Sequence, residues 1–127
     1  MRMFTGLLFA VCSLVVVGSL LAQEPEKKPS VWMRTKLEHS QKILDGLATA
    51  DFDAIASHAK SMHTLTELEK HVRAGAPGYR TQLQFFRHAT EDMVKQANKK
   101  NLDGCAIAFQ QMTLSCINCH KVLRDKE

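Results

Sequence analysis

The sequence predicts an all-α fold, an antiparallel up-down four-helix bundle spanning residues 31–127. Three observations predict it. Apolar residues recur near a 3.6-residue period through four long segments, the connections between those segments are short, and nothing alternates apolar with polar as a strand would. Helices in globular proteins average about 11–12 residues, so four segments of 18 to 23 residues favour a bundle over a compact mixed fold. A chain of 127 residues suffices for one small domain of this kind.

The first 22 residues are not expected to join the bundle. Arg2 gives a short positive start, 6–21 carry no charge, and Ala22 offers a small residue for cleavage. This is the form of a secretory signal peptide. An uncleaved membrane anchor is the alternative, although the apolar run is short for a full span. Cys12 falls inside the run and is given no role. Cleavage removes only Arg2 among the charged residues and lowers the formal net charge from +4 to +3. That mild excess is too small and too scattered for a nucleic-acid surface. Residues 23–30 form a polar leader with Pro25 and Pro29, and Ser30 is placed to cap the helix that follows.

The first helix is expected over 31–48. Trp32, Met33, Leu37, Ile43, Leu44 and Leu47 form its apolar face, and Lys36, Glu38, Gln41 and Lys42 fall on the other side. A turn at 49–51 ends it, with Asp51 as the next N-cap. The second helix covers 52–73 and buries Phe52, Ile55, Ala59, Met62, either Leu65 or Thr66, and on the same stripe Leu68 and Val72. Gly75, Ala76, Pro77 and Gly78 then break the chain. The third helix covers 79–99, with Leu83, Phe86, Thr90, Met93 and Ala97 on one face. The fourth starts at Leu102 or Asp103, with Asp103 placed to cap it. Its stripe is Cys105, Phe109, Met112, Cys116 and Cys119, flanked by Ala106 and Thr113.

The chemistry concentrates in the last turns of that fourth helix, in Cys116-Ile117-Asn118-Cys119-His120. A Cys-x-x-Cys-His run reads as an attachment site for haem c. Two thiols add to the two vinyl groups of one haem and become thioethers, and the adjacent histidine supplies an imidazole to the iron. A thioredoxin-like redox pair sits beside a βαβ pattern, and no such pattern is present. Structural zinc needs four ligands, and Cys105 lies about 16 Å along the helix from Cys116. Cys105 itself reads as a buried, small apolar residue. Export and haem attachment agree, because covalent haem ligation takes place outside the bacterial inner membrane. Among the remaining histidines, His63 is the one weighed as a second axial ligand, and His39, His58, His71 and His88 read as surface or interface residues.

Four helices with Cys-x-x-Cys-His at the end of the last resemble the class II c-type cytochromes, the cytochrome c prime family with its low-spin, Met-ligated relatives. The similarity covers residues 31–126 and rests most on Asn101-Leu102-Asp103, Phe109 and the stretch from Cys116 to Arg124. It implies one covalent haem c held by Cys116 and Cys119, with His120 as proximal iron ligand. Arg124, one turn beyond His120, matches a family arginine and would contact a haem propionate; the alternative is a solvated basic residue favoured by the helix dipole. The resemblance places the first helix over the distal side. Counting back from the turn that ends that helix brings Met33 nearest the distal position, and counting along the leucine stripe brings Leu37 there.

The choice matters for function. A methionine ligand suits electron transfer, whereas an aliphatic residue leaves the iron open to NO or CO. The expectation is therefore a periplasmic electron carrier with Met33 as distal ligand, serving redox partner proteins and free of the membrane after cleavage. A gas-binding cytochrome with Leu37 on the distal face is the alternative. A thiol–disulfide oxidoreductase using Cys116 and Cys119 is a third reading. No acid–base pair suited to turnover stands out, so enzymatic activity is not expected. The resemblance further implies a homodimer formed through the first two helices, in which Trp32 would sit near the haem edge or at the contact.

Overall fold

The computed structural model describes residues 30–72 and 78–124. The expected signal segment 1–22, the leader up to Pro29, the break at 75–77 and residues 125–127 lie outside the described residues. Four helices follow in order: α1 (Val31–Thr49), α2 (Phe52–Val72), α3 (Tyr79–Asn98) and α4 (Leu102–Arg124). Their bounds match the sequence reading within one residue, and no strand occurs among the described residues. No helix among those residues is long and apolar enough to cross a membrane.

Cross-helix contacts fix the direction of each neighbour. The start of α1 meets the end of α2 through Lys36 and Glu69, and the end of α1 meets the start of α2 where Gly46 approaches Ile55. Glu69 and Glu67 of α2 reach Tyr79 and Arg87 of α3. Gly78, ahead of α3, lies beside Val122 near the end of α4, and Met93 lies beside Cys105 near its start. Consecutive helices therefore run antiparallel in a four-helix bundle. The ring is unevenly closed: α1 packs closely on α2 but only sparsely on α4. That thin seam positions the candidate site.

Local chemistry explains the helix ends. The Ser30 hydroxyl accepts from Met33 N at 3.4 Å, and Asp51 Oδ1 accepts from Ala54 N at 3.0 Å. The cap of α4 is Asn101, whose Oδ1 accepts from Gly104 N at 3.1 Å. Asp103, expected as the cap, instead lies within the first turn. The helix begins two residues too early for Asp103 to cap it, and its carboxylate there complements the positive end of the helix dipole. Between α1 and α2, Ala50 adopts φ 56°, ψ 33°, a left-handed conformation that suits glycine better.

The core gathers Ile43, Ile55, Ala59, Met62, Phe86, Ala89, Met93, Ala97, Cys105, Ala108 and Met112. Every residue expected on the α3 stripe is buried. In α2, Thr66 takes the core position and Leu65 is half-buried; the Thr66 hydroxyl is satisfied by the Met62 carbonyl at 2.9 Å. Three leucines depart from expectation: Leu37 is 58% exposed, Leu44 56% and Leu68 51%. Helix α1 buries the line through Ile43 and Gly46 against α2, which turns Leu37 and Leu44 away from the core. Lys36, expected on the polar side, is correspondingly turned inward.

Two substitutions near this turn test the packing. A Cβ at residue 46 would stand 2.9 Å from Ile55 Cγ1 and 3.2 Å from the Asp51 carbonyl oxygen. Gly46→Ala is expected to cost about 1–3 kcal/mol, because α1 must move off α2. Ala50→Gly is expected to add about 0.5–1 kcal/mol by relieving the left-handed alanine. Urea midpoints moving in opposite directions at constant m-value would bear out both.

Candidate functional site

The last turns of α4 present Cys116, Cys119 and His120 toward one cleft. Residues three and four apart share a helix face, so the spacing Cys116, Cys119, His120 places all three on one wall. Ser115 and Leu123 extend that wall, Met33 and Lys36 come from α1, Glu69 from α2, and Tyr79, Gln82, Leu83 and Phe86 from α3. The cleft therefore lies where the end of α4 faces the start of α1, across the thin seam. It encloses about 420 Å³ with its solvent-open mouth included. His120 is exposed at the mouth; Cys116, Cys119 and Met33 are half-buried.

A buried polar network crosses the cleft. Glu69 is only 5% exposed. Its two carboxylate oxygens accept from Lys36 Nζ and from the Tyr79 hydroxyl. Lys36 Nζ also stands 5.0 Å from the centroid of the Phe86 ring, within cation–π range. The network joins α1, α2 and α3 at the level of the Cys-x-x-Cys-His wall. The sequence carried a signal for it: Lys36 stands three residues after Met33 and seven before Ile43, and Glu69 three after Thr66 and seven after Met62. Both are charged residues in core register.

Burial pushes the Cys116 thiol above its ordinary range; Lys36 and its own backbone hydrogen bonding pull the other way, and Glu69 adds to the rise. A redox-active pair of the thioredoxin kind requires the reverse, a thiol lowered toward neutrality. The oxidoreductase reading therefore finds no support in this environment.

The other candidate residues fall outside the cleft. Leu37 does not line it, nor does Arg124, which is exposed in the last turn of α4. Trp32 is partly exposed and also absent from the lining. His63 faces α3, with Nδ1 3.8 Å from Glu91 Oε1, and does not reach the cleft. The side chain of His71 lies outside the described residues. His39 and His58, which read as surface or interface residues, contact one another across α1 and α2.

The donor set fits haem c. Two thiols and an imidazole share one wall, Leu83, Phe86 and Leu123 supply apolar surface, and a thioether comes from α1. The cleft opens at the sparsely packed junction of α1 and α4. No group of three or more His, Cys, Asp or Glu among the described residues is arranged to hold a metal ion. No family model, curated protein or solved structure matches this chain.

The Glu69 network yields a direct test. Lys36→Met leaves a buried carboxylate with only the tyrosine as a strong donor, and is expected to cost about 3–5 kcal/mol. The double variant Lys36→Met, Glu69→Gln removes the uncompensated charge and is expected to recover much of that loss. Urea unfolding of the single and double variants measures the difference.

Proposed function

We propose that this chain is an exported c-type cytochrome of the four-helix-bundle kind, carrying one haem c and transferring single electrons to and from protein partners. The observation that carries the reading is the meeting of Cys116, Cys119 and His120 with Met33 in one cleft. Cys116 and Cys119 would hold the haem through thioethers, His120 would ligate the iron on one side, and Met33 is the thioether available from α1. Bound there, the haem supplies a one-electron ferrous–ferric couple, which an imidazole–methionine ligand pair places at raised potential.

The chain's own residues do the rest. The apolar side chains Leu83, Phe86 and Leu123 keep water from the interior of the cleft. The Lys36–Glu69–Tyr79 network holds α1 against α2 and α3, and so fixes how Met33 is presented. His120 at the mouth leaves an edge of the site near solvent, where a partner protein can approach. The gas-binding alternative drew on Leu37 over the iron, but Leu37 points away from the cleft, so Met33 is favoured. Export to the periplasm with cleavage near Ala22 belongs to the same reading.

Intact mass and visible spectra of the exported protein test it. A mature chain heavier than its polypeptide by one haem, with a low-spin spectrum and a weak far-red sulfur-to-iron band, is the expected result. Under denaturing conditions a thiol reagent should then modify Cys105 alone. Met33→Ala should lose the far-red band and gain CO binding. A product of bare polypeptide mass, with three reactive thiols, would overturn the proposal.

A further inference from the structure

Outside the cleft, α1 and α2 bring two imidazoles together. His39 Nδ1 and His58 Nδ1 are 3.0 Å apart, with ring centroids 5.2 Å apart and planes tilted by 42°. Both residues are half-buried, and neither lines the cleft. In the neutral pair one Nδ1 donates and the other accepts, so a single proton occupies the space between them.

That space has the dimensions of a metal site. Two nitrogen ligands about 2.0–2.1 Å from one ion, at angles between square-planar and tetrahedral, are separated by about 2.9–3.4 Å. The observed 3.0 Å already falls in that interval. The helices carrying the rings are fixed on both flanks, by Lys36 and Glu69 toward one end and by the approach of Gly46 to Ile55 toward the other. Little backbone movement is needed to turn two facing nitrogens into two converging ones.

We propose that His39 and His58 form a two-histidine site for a divalent transition-metal ion, Cu(II) foremost. Imidazole nitrogen suits this class of ion, and affinity for a given nitrogen site is greatest at copper among the first-row divalent metals. On binding, the donor imidazole moves its proton from Nδ1 to Nε2, so both Nδ1 lone pairs become ligands and no net proton is released. No third His, Cys, Asp or Glu among the described residues completes a cage. Water therefore fills the remaining positions, and the ion is held exchangeably, unlike structural zinc with its four protein ligands. The pair stands apart from the cleft, so the site does not depend on what the cleft carries.

Titration of the mature, exported protein with Cu(II), followed by calorimetry and electron paramagnetic resonance, tests the site. One ion should bind saturably in the micromolar range, with hyperfine structure from two nitrogens, and should raise the melting midpoint. His39→Gln and His58→Gln, which retain a hydrogen-bonding side chain, should each weaken binding by about tenfold or more. His88→Gln, at a histidine 67% exposed on α3, should leave it unchanged. The proposal is overturned if the wild type takes up no Cu(II) saturably below ~100 µM. It is equally overturned if both glutamine variants bind as tightly as wild type, or if saturating Cu(II) leaves the wild-type melting midpoint unmoved.

Discussion

One buried carboxylate holds the site-bearing end of this bundle together. Glu69 lies in α2, yet its partners come from α1 and α3. A carboxylate this far from water is tolerable only when both oxygens are satisfied, and here a cation takes one and a phenol the other. The arrangement matters because α1 has so little support from α4. Lys36 ties the start of α1 to Glu69 of α2. A residue in a third helix thus ties down the end of α1 that carries Met33.

The sequence revealed the helices and most of the core, but not how α1 is turned. The α3 stripe could be read in full because its apolar and polar residues separate cleanly and α3 has a closely packed neighbour on each side. In α1 the apolar arc is wider than the arc that finds a partner. Leu37 and Leu44 look like core residues in one dimension and stand exposed in three. Lys36 was misread for the complementary reason: a charged residue in core register looks like an error in the pattern until Glu69 and Tyr79 are seen around it. The wall formed by Cys116, Cys119 and His120 was legible because all three belong to one helix. The His39–His58 contact was not, because it depends on the register between two helices, which no local pattern encodes.

The thin seam reconciles two demands on the fold. A cleft needs room, and a bundle packed evenly on all sides offers little. Leaving α1 loosely joined to α4, while the other three junctions are packed, places the opening at one junction. The apolar side chains at 83, 86 and 123 then face the same opening as the wall of Cys116, Cys119 and His120. Stability and accessibility are divided between different junctions of the same bundle.

The position of Cys105 adds a form of chemical selectivity. Its sulfur is wholly enclosed against the Met93 carbonyl, and burial, with Asp92 adding to it, pushes the thiol above its ordinary range. In the folded chain an electrophile entering between α1 and α4 therefore meets two of the three thiols among the described residues. Discrimination among chemically identical side chains is achieved by where they are packed, with no need for differences in their intrinsic reactivity.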